Sequence, residues 1–280
     1  MKRETLFCLK KSGATRAMIL AVFVFSSIGA RGQQESETSK AAENATNPLA
    51  FVTKLQFQPN YTFIDGGSDQ LSLISRISQP TKTVGLPFIK SKDPSKIYTI
   101  YRLEVPVVSQ TLGPSSPLNA TGLSDMALLD VLVFSQPWGL LGAGGGFIFP
   151  TASSEVLGTG KLNAGPVAVL LYTKVPKLQV GILAQQYFSI AGSSDRADQN
   201  FMLFQPVFNK VFNNGYFMQF SPIMKFDWEN NTYNIPISIA FGRAFAKNLS
   251  MFIAPEYVVS GPAQGNFTIR LNINTMFASM

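Results

Sequence analysis

The chain has 280 residues, one Cys, no His, 46% hydrophobic and 14% charged residues, and a formal charge of +7. Without His, catalysis built on an imidazole base is excluded, and a single Cys excludes a disulfide-stapled small fold. Residues 1–32 hold six basic residues and one acidic, so residues 33–280 carry only about +2 and give no licence for nucleic-acid binding.

In chain order, Lys2, Arg3, Lys10, Lys11 and Arg16 precede an apolar run from Ala17 to Phe25, followed by Ser26, Ser27, Gly29, Ala30 and Gly32. A basic start, a short apolar core and a small-residue site predict a signal peptide over residues 1–32. The run is too short to cross a bilayer as a helix, which takes about 20 residues. Cys8 lies before the apolar core and is not placed to carry a lipid. Residues 33–46 are polar and without period, and predict a loosely held tail. The polar N-terminal segment as a whole is 33–50, with Asn47-Pro48-Leu49-Ala50 opening the ordered part.

From there to residue 280 a period of two recurs. Leu55, Phe57, Tyr61 and Phe63 oppose Lys54, Gln56, Gln58, Asn60 and Thr62. Leu71, Leu73 and Ile77 oppose Arg76, and Tyr101, Leu103, Val105 and Val107 oppose Arg102 and Glu104. Leu129, Val131 and Val133 oppose Asp130. Gly139–Phe149, Asn163–Thr173 and Leu178–Ile190 are ambiguous in facing. Phe204 and Phe208 oppose Gln205 and Asn209, and Met224, Phe226 and Trp228 oppose Lys225, Asp227 and Glu229. Ile235, Ile237, Ile239 and Phe241 oppose Asn234 and Ser238, and Ile253, Tyr257 and Val259 oppose Glu256. The last strand sets Phe267, Ile269, Leu271, Ile273 and Phe277 against Arg270, Asn272 and Asn274.

No stretch after the leader approaches ~18 continuous apolar residues, so a helical membrane protein is excluded. Links alternate between tight turns (136–137, 174–177, 213–215, 246–248) and longer polar loops (150–162, 191–199, 228–232, 260–265). The long link 79–96 breaks the pattern and predicts either an extra short hairpin or a plug for the lumen. Pro59, Pro106, Pro206, Pro222, Pro236 and Pro255 predict bulges or strand ends. The expected fold is an all-β, transmembrane, antiparallel up-and-down β-barrel of about 12 strands over residues 51–280.

In that barrel Phe204, Phe226, Ile237, Ile239, Leu271 and Ile273 face lipid. The expected lumen lining is Lys54, Arg76, Arg102, Lys225 and Arg270 against Glu104, Asp130, Asp227, Glu229 and Glu256. Both signs together predict weak ion selectivity. The C-terminal strand has the placement of the assembly signal of bacterial outer-membrane proteins, although Phe277 is followed by three more residues.

Gly158–Lys161 fails the phosphate-loop spacing at Glu155 and Leu162, and no cofactor or metal site is expected. Two other classes compete with a channel. An outer-membrane enzyme would use Asp227 and Glu229 as an acid–base pair, although lumen carboxylates more simply pair with Lys225, Arg270 or Arg102. A secreted sandwich adhesin would bury its apolar faces between two sheets.

Several motifs follow one another over nearly the whole chain after the leader. They are Asn47-Pro48-Leu49-Ala50, Gly122-Leu123-Ser124-Asp125, Phe149-Pro150-Thr151-Ala152, Leu157-Gly158-Thr159-Gly160-Lys161 and Ala164-Gly165-Pro166. Next come Phe188-Ser189-Ile190-Ala191-Gly192, Asp195-Arg196, Gln205-Pro206 and Asp227-Trp228-Glu229. This series resembles the MetA-pathway phenol-degradation or "transporter" family of bacterial outer-membrane barrels. The resemblance implies a barrel in the outer membrane, in contact with lipid, while the C-terminal strand is what predicts contact with the outer-membrane assembly machinery. The resemblance also implies passage of small solutes, aromatic or hydrophobic ones among them, and it carries over no catalytic or ligand-binding residue.

Overall fold

The computed structural model describes residues 32–64, 68–84, 89–90, 93, 95–111, 116 and 118–278, so the expected leader lies outside them apart from Gly32. Among the described residues, one helix precedes the sheet, α1 (Gly32–Thr46). Twelve strands follow: β1 (Val52–Ile64), β2 (Ser68–Thr81), β3 (Ile97–Thr111), β4 (Ala120–Leu123 and Met126–Gln136), β5 (Gly139–Phe149) and β6 (Lys161–Tyr172). The second half is β7 (Leu178–Gly192), β8 (Asn200–Val211), β9 (Tyr216–Phe220 and Met224–Asp227), β10 (Thr232–Ala246), β11 (Leu249–Ser260) and β12 (Phe267–Ala278). Each strand pairs antiparallel with its chain neighbours, and β1 pairs with β12 (Phe57↔Ile273, Tyr61↔Ile269) to close the ring. A single closed sheet replaces the sandwich alternative.

The link between β2 and β3 carries the extra short hairpin, Thr83–Val84 against Ile89–Lys90. Two of the flagged prolines interrupt a strand: Pro222 falls in the break of β9, and the β10–β11 register shifts at Pro236. Pro59, Pro106, Pro206 and Pro255 instead stay in register, opposite Leu73, Ile74, Ile182 and Ile269. A strand N–H faces only one neighbour, so each proline removes a single ladder bond and leaves the other side intact.

The wall is apolar outside and largely polar inside. Phe57, Leu71, Leu73, Ile77, Ile182, Ile237, Ile239, Phe241 and Leu271 are exposed on the outer face. Tyr61, Phe63, Trp228, Tyr233 and Tyr257 lie outward near the loop end, and Tyr172, Phe212, Tyr216 and Phe277 near the turn end. Inward, Lys54, Gln58, Asn60, Asn163, Gln185, Asn209, Ser238, Asn272 and Asn274 are buried.

Part of the lumen is dry. Leu129, Val131 and Val133 of β4 point inward and pack with Tyr98, Ile100, Val167, Val169, Leu183 and Leu49. Asp130, between them, therefore points outward, against the sequence expectation. Alternation divides a strand into two faces without saying which one is inside, and here the apolar face lines the lumen. The glycines of β5 make room for it. A Cβ on Gly142 would lie 2.9 Å from Val131 Cγ1, and one on Gly146 2.6 Å from Tyr187 Oη.

The expected loose tail is the helix α1, seated inside the turn end of the barrel. Its buried positions are Thr38, Ser39, Ala41, Ala42 and Thr46, a stripe at spacings of three and four. Ala41 and Ala42 pack against the inward side chains Val211, Phe217, Ala244 and Met276. Residues this small let a helix about 10 Å wide fit within a narrow ring. Gly215, at φ 72° in the β8–β9 turn, completes the fit, because a Cβ there would lie 2.9 Å from Thr38 Cβ.

Candidate functional site

The plug is bolted at its C-terminal end, where the last carbonyls of a helix need partners. Thr46 Oγ1 donates to Ala42 O at 2.9 Å, Gln179 Nε2 to Glu43 O at 2.8 Å, and Asn209 Nδ2 to Thr46 O at 3.0 Å. Lys54 Nζ donates to Asn47 O at 2.6 Å and Asn44 O at 3.4 Å. A cation at a helix C-terminus also complements the helix dipole. The Asn47–Ala50 motif turns the chain into β1: Asn47 Oδ1 accepts from Leu49 N at 2.8 Å, and Tyr98 Oη donates to Leu49 O at 2.7 Å.

Above the plug lies a lumen cavity of about 320 Å³, floored by Ala45, Thr46 and Pro48. Of the expected lining, Lys54, Arg76, Arg102, Glu104 and Arg270 border it. Arg76 pairs with Glu104 through Nε and donates from Nη1 to Gln58 Oε1 at 2.8 Å. Arg270 pairs with Glu256 across the β11–β12 ladder. Amides complete this side of the wall: Gln58 Nε2 donates to Asn60 Oδ1 at 3.0 Å, and Gln56 Nε2 to Asn274 Oδ1 at 2.7 Å. Leu129, Ile148 and Tyr187 add an apolar part to the lining.

The remaining expected residues are dispersed. Lys225 and Asp227 form a pair at 3.2 Å at the loop-end mouth, with Lys225 Nζ 4.6 Å from the centre of the Phe201 ring. Glu229 is exposed in the β9–β10 link beyond the strand, so it neither lines the lumen nor faces Asp227 as an acid–base partner. The alternation of β9 stops at Asp227, where the chain begins to turn, one step short of Glu229. Asp130 stands on the outer wall opposite Tyr101 and Gly145. Sequence reasoning misses the plug and its anchors Gln179 and Asn209. The one signal for them is the stripe of small residues in 38–46, which scarcely differs from the helix's other face because alanine is barely apolar.

The loop end is organised by the motifs that carried the family resemblance. Asp125, in the break of β4, accepts from Ala152 N at 3.2 Å, Thr159 N at 2.7 Å and Thr159 Oγ1 at 2.9 Å. Arg196 donates to Thr159 O at 3.2 Å, Glu155 O at 2.8 Å and Gly158 O at 2.6 Å. Cβ atoms on Gly122 and Gly158 would strike Ser153 and Asp125. These residues therefore fold the loop 150–160 against its neighbours.

No protein-family model and no curated protein matches the sequence. Among solved structures, the chain is similar to the COG4313 outer membrane channel from Pseudomonas putida F1, at 12% identity and a TM-score of 0.62, over 89% of this chain and 100% of that one. It is also similar to the NanC porin, at 8% identity and a TM-score of 0.52, over 79% of this chain and 98% of that one. At these identities the likeness is one of fold, that of outer-membrane barrels.

Proposed function

We propose that this chain is an outer-membrane channel for small solutes, aromatic and hydrophobic ones among them, with α1 narrowing its turn end. The carrying observation is the inverted wall, with exposed Leu, Ile and Phe outside and buried amides and charges around a cavity inside. Such a wall is stable only where its outer face meets hydrocarbon. On this reading the turn end is periplasmic, residues 1–32 are a leader and the C-terminal strand is read by the assembly machinery. Membership of the MetA-pathway family is part of the proposal. It is supported by the bolting role of Asn47–Ala50 and the loop-folding role of Asp125, Gly158 and Arg196.

Purified chain in planar bilayers should show small discrete conductance steps, and proteoliposomes should swell in a panel of small solutes. An absence of conductance and uptake, together with hydrolysis of lipid or peptide, would transfer the chain to the enzyme class.

Asp130 gives a separate check on the lipid-facing wall. It sits midway between Met126 and Phe134 on the outer face of β4, at the depth where a carboxylate is most costly. Asp130→Leu should stabilise the folded barrel by about 1–3 kcal/mol in urea titrations in lipid. Unchanged stability would mean that hydrocarbon does not cover this part of the wall.

A further inference from the structure

The lumen cavity holds a guanidinium that makes no hydrogen bond or salt bridge with its wall, and we infer that the cavity is a binding site for a small carboxylate with an apolar body. The channel reading supplies the ligand's route, while the site itself rests on the charges. Four cations border the cavity. Lys54 is taken up by the carbonyls of the plug, Arg76 by Glu104 and Gln58, and Arg270 by Glu256. Arg102 makes no hydrogen bond or ion pair with any described residue, although it borders the cavity between Ser78 and Leu129 on the adjacent strands.

The nearest carboxylate, Glu104 two positions along its own strand, is bonded to Arg76 and attracts Arg102 only through space. The other carboxylate at the cavity, Asp125, is occupied by the amides of 152 and 159 and the Thr159 hydroxyl. Arg270 Nε is likewise buried without a partner. The wall therefore has an excess of positive charge, shared by Lys54, which meets only neutral carbonyls, and Arg102, which has no salt bridge. With Asp130 outside and Glu229 in a link, the lumen lacks the two carboxylates that would have balanced its lining.

A confined, unpaired guanidinium draws an anion, because its charge is costly to leave partly desolvated. Its planar fork of five N–H donors fits the two oxygens of a carboxylate. Leu129 beside it, and Ile148 and Tyr187 further round the wall, offer contact for an apolar body rather than a second charge. About 320 Å³ is room for one small molecule.

Benzoate and its uncharged counterpart benzyl alcohol are suitable probes, titrated calorimetrically into the full chain in detergent. Benzoate should bind one to one and benzyl alcohol at least about tenfold more weakly. Arg102→Gln should weaken benzoate about tenfold or more, and Arg102→Lys, which keeps the charge but loses the fork, by less. Heat-modifiable migration shows which variants are folded, and if Arg102→Gln does not fold, the drop in Arg102→Lys decides. Equal binding of the two probes, no benzoate binding, or undiminished binding in the variants would overturn the site. In bilayers, benzoate should reduce the chloride current of the parent and spare that of the Gln variant. Conductance without benzoate binding retracts the site and leaves the channel. Benzoate binding without conductance retracts the channel and leaves the site.

Discussion

Deleting residues 33–46 should raise single-channel conductance several-fold while leaving a folded, heat-modifiable barrel. A ring of eight strands is filled by its own side chains and one of sixteen leaves an open channel, so twelve strands enclose a space that one helix can largely occupy. α1 fills it at the turn end, with Ala41 and Ala42 fully enclosed by Val211, Phe217, Ala244 and Met276. It adds no bond to the closed ladder that holds the wall. What is lost is a small apolar contact, the longer of the two Lys54 bonds (to Asn44 O) and the bonds of Gln179 and Asn209 to helix carbonyls, while the Lys54 bond to Asn47 O stays. Each of those groups faces a lumen that water will fill, so none is left dry. Bilayer recordings of parent and deletion decide the matter. An unchanged conductance would show that the ion path does not pass the helix.

Placing Arg at position 239 should cost about 2–4 kcal/mol of barrel stability. Ile239 is the central residue of β10, 40% exposed on the outer face between Ile237 and Phe241 and opposite Phe220. From that depth a guanidinium cannot reach either interface without distorting the bilayer. The same strand supplies the contrast. Arg243 also points outward, but close to the turn end, where it lies 4.6 Å from the Tyr216 ring centre and its Nε donates to Asn214 O at 3.2 Å. Urea titrations in lipid should show a lowered midpoint for Ile239→Arg and little change for Arg243→Lys. Parent-like stability of Ile239→Arg would mean that the facing of β10 is reversed.

The strands were legible because a wall between hydrocarbon and water imposes a period of two on every spanning segment. The facing was legible wherever charge or amide marked the inner side, as in β1 with Lys54, Gln56 and Gln58. It failed in β4, where both sides are apolar and the one charge, Asp130, is on the outside. Nothing within residues 126–136 reveals that Leu129, Val131 and Val133 share a core with Leu49, far earlier in the chain. The glycines of β5 could not be faced for a related reason: a glycine records the bulk of its neighbours, here Val131 and Tyr187, rather than a preference of its own. The helix was invisible to hydrophobic periodicity because its contact face is alanine, threonine and serine. Its stability comes from the ring around it.

The strand that receives the plug is also the strand that seals the ring. Gln56 meets Asn274 across 218 residues, and Lys54, two positions earlier, holds the end of α1. That sealing contact is available only after the final strand has been delivered. Loop closure over such a span adds little cost beyond that of a shorter loop, so timing rather than energy orders the events. Until the first and last strands meet, the helix has no enclosure to enter. Construction of the wall therefore precedes its occupation, and the chain leaves its own stopper for the final act of assembly.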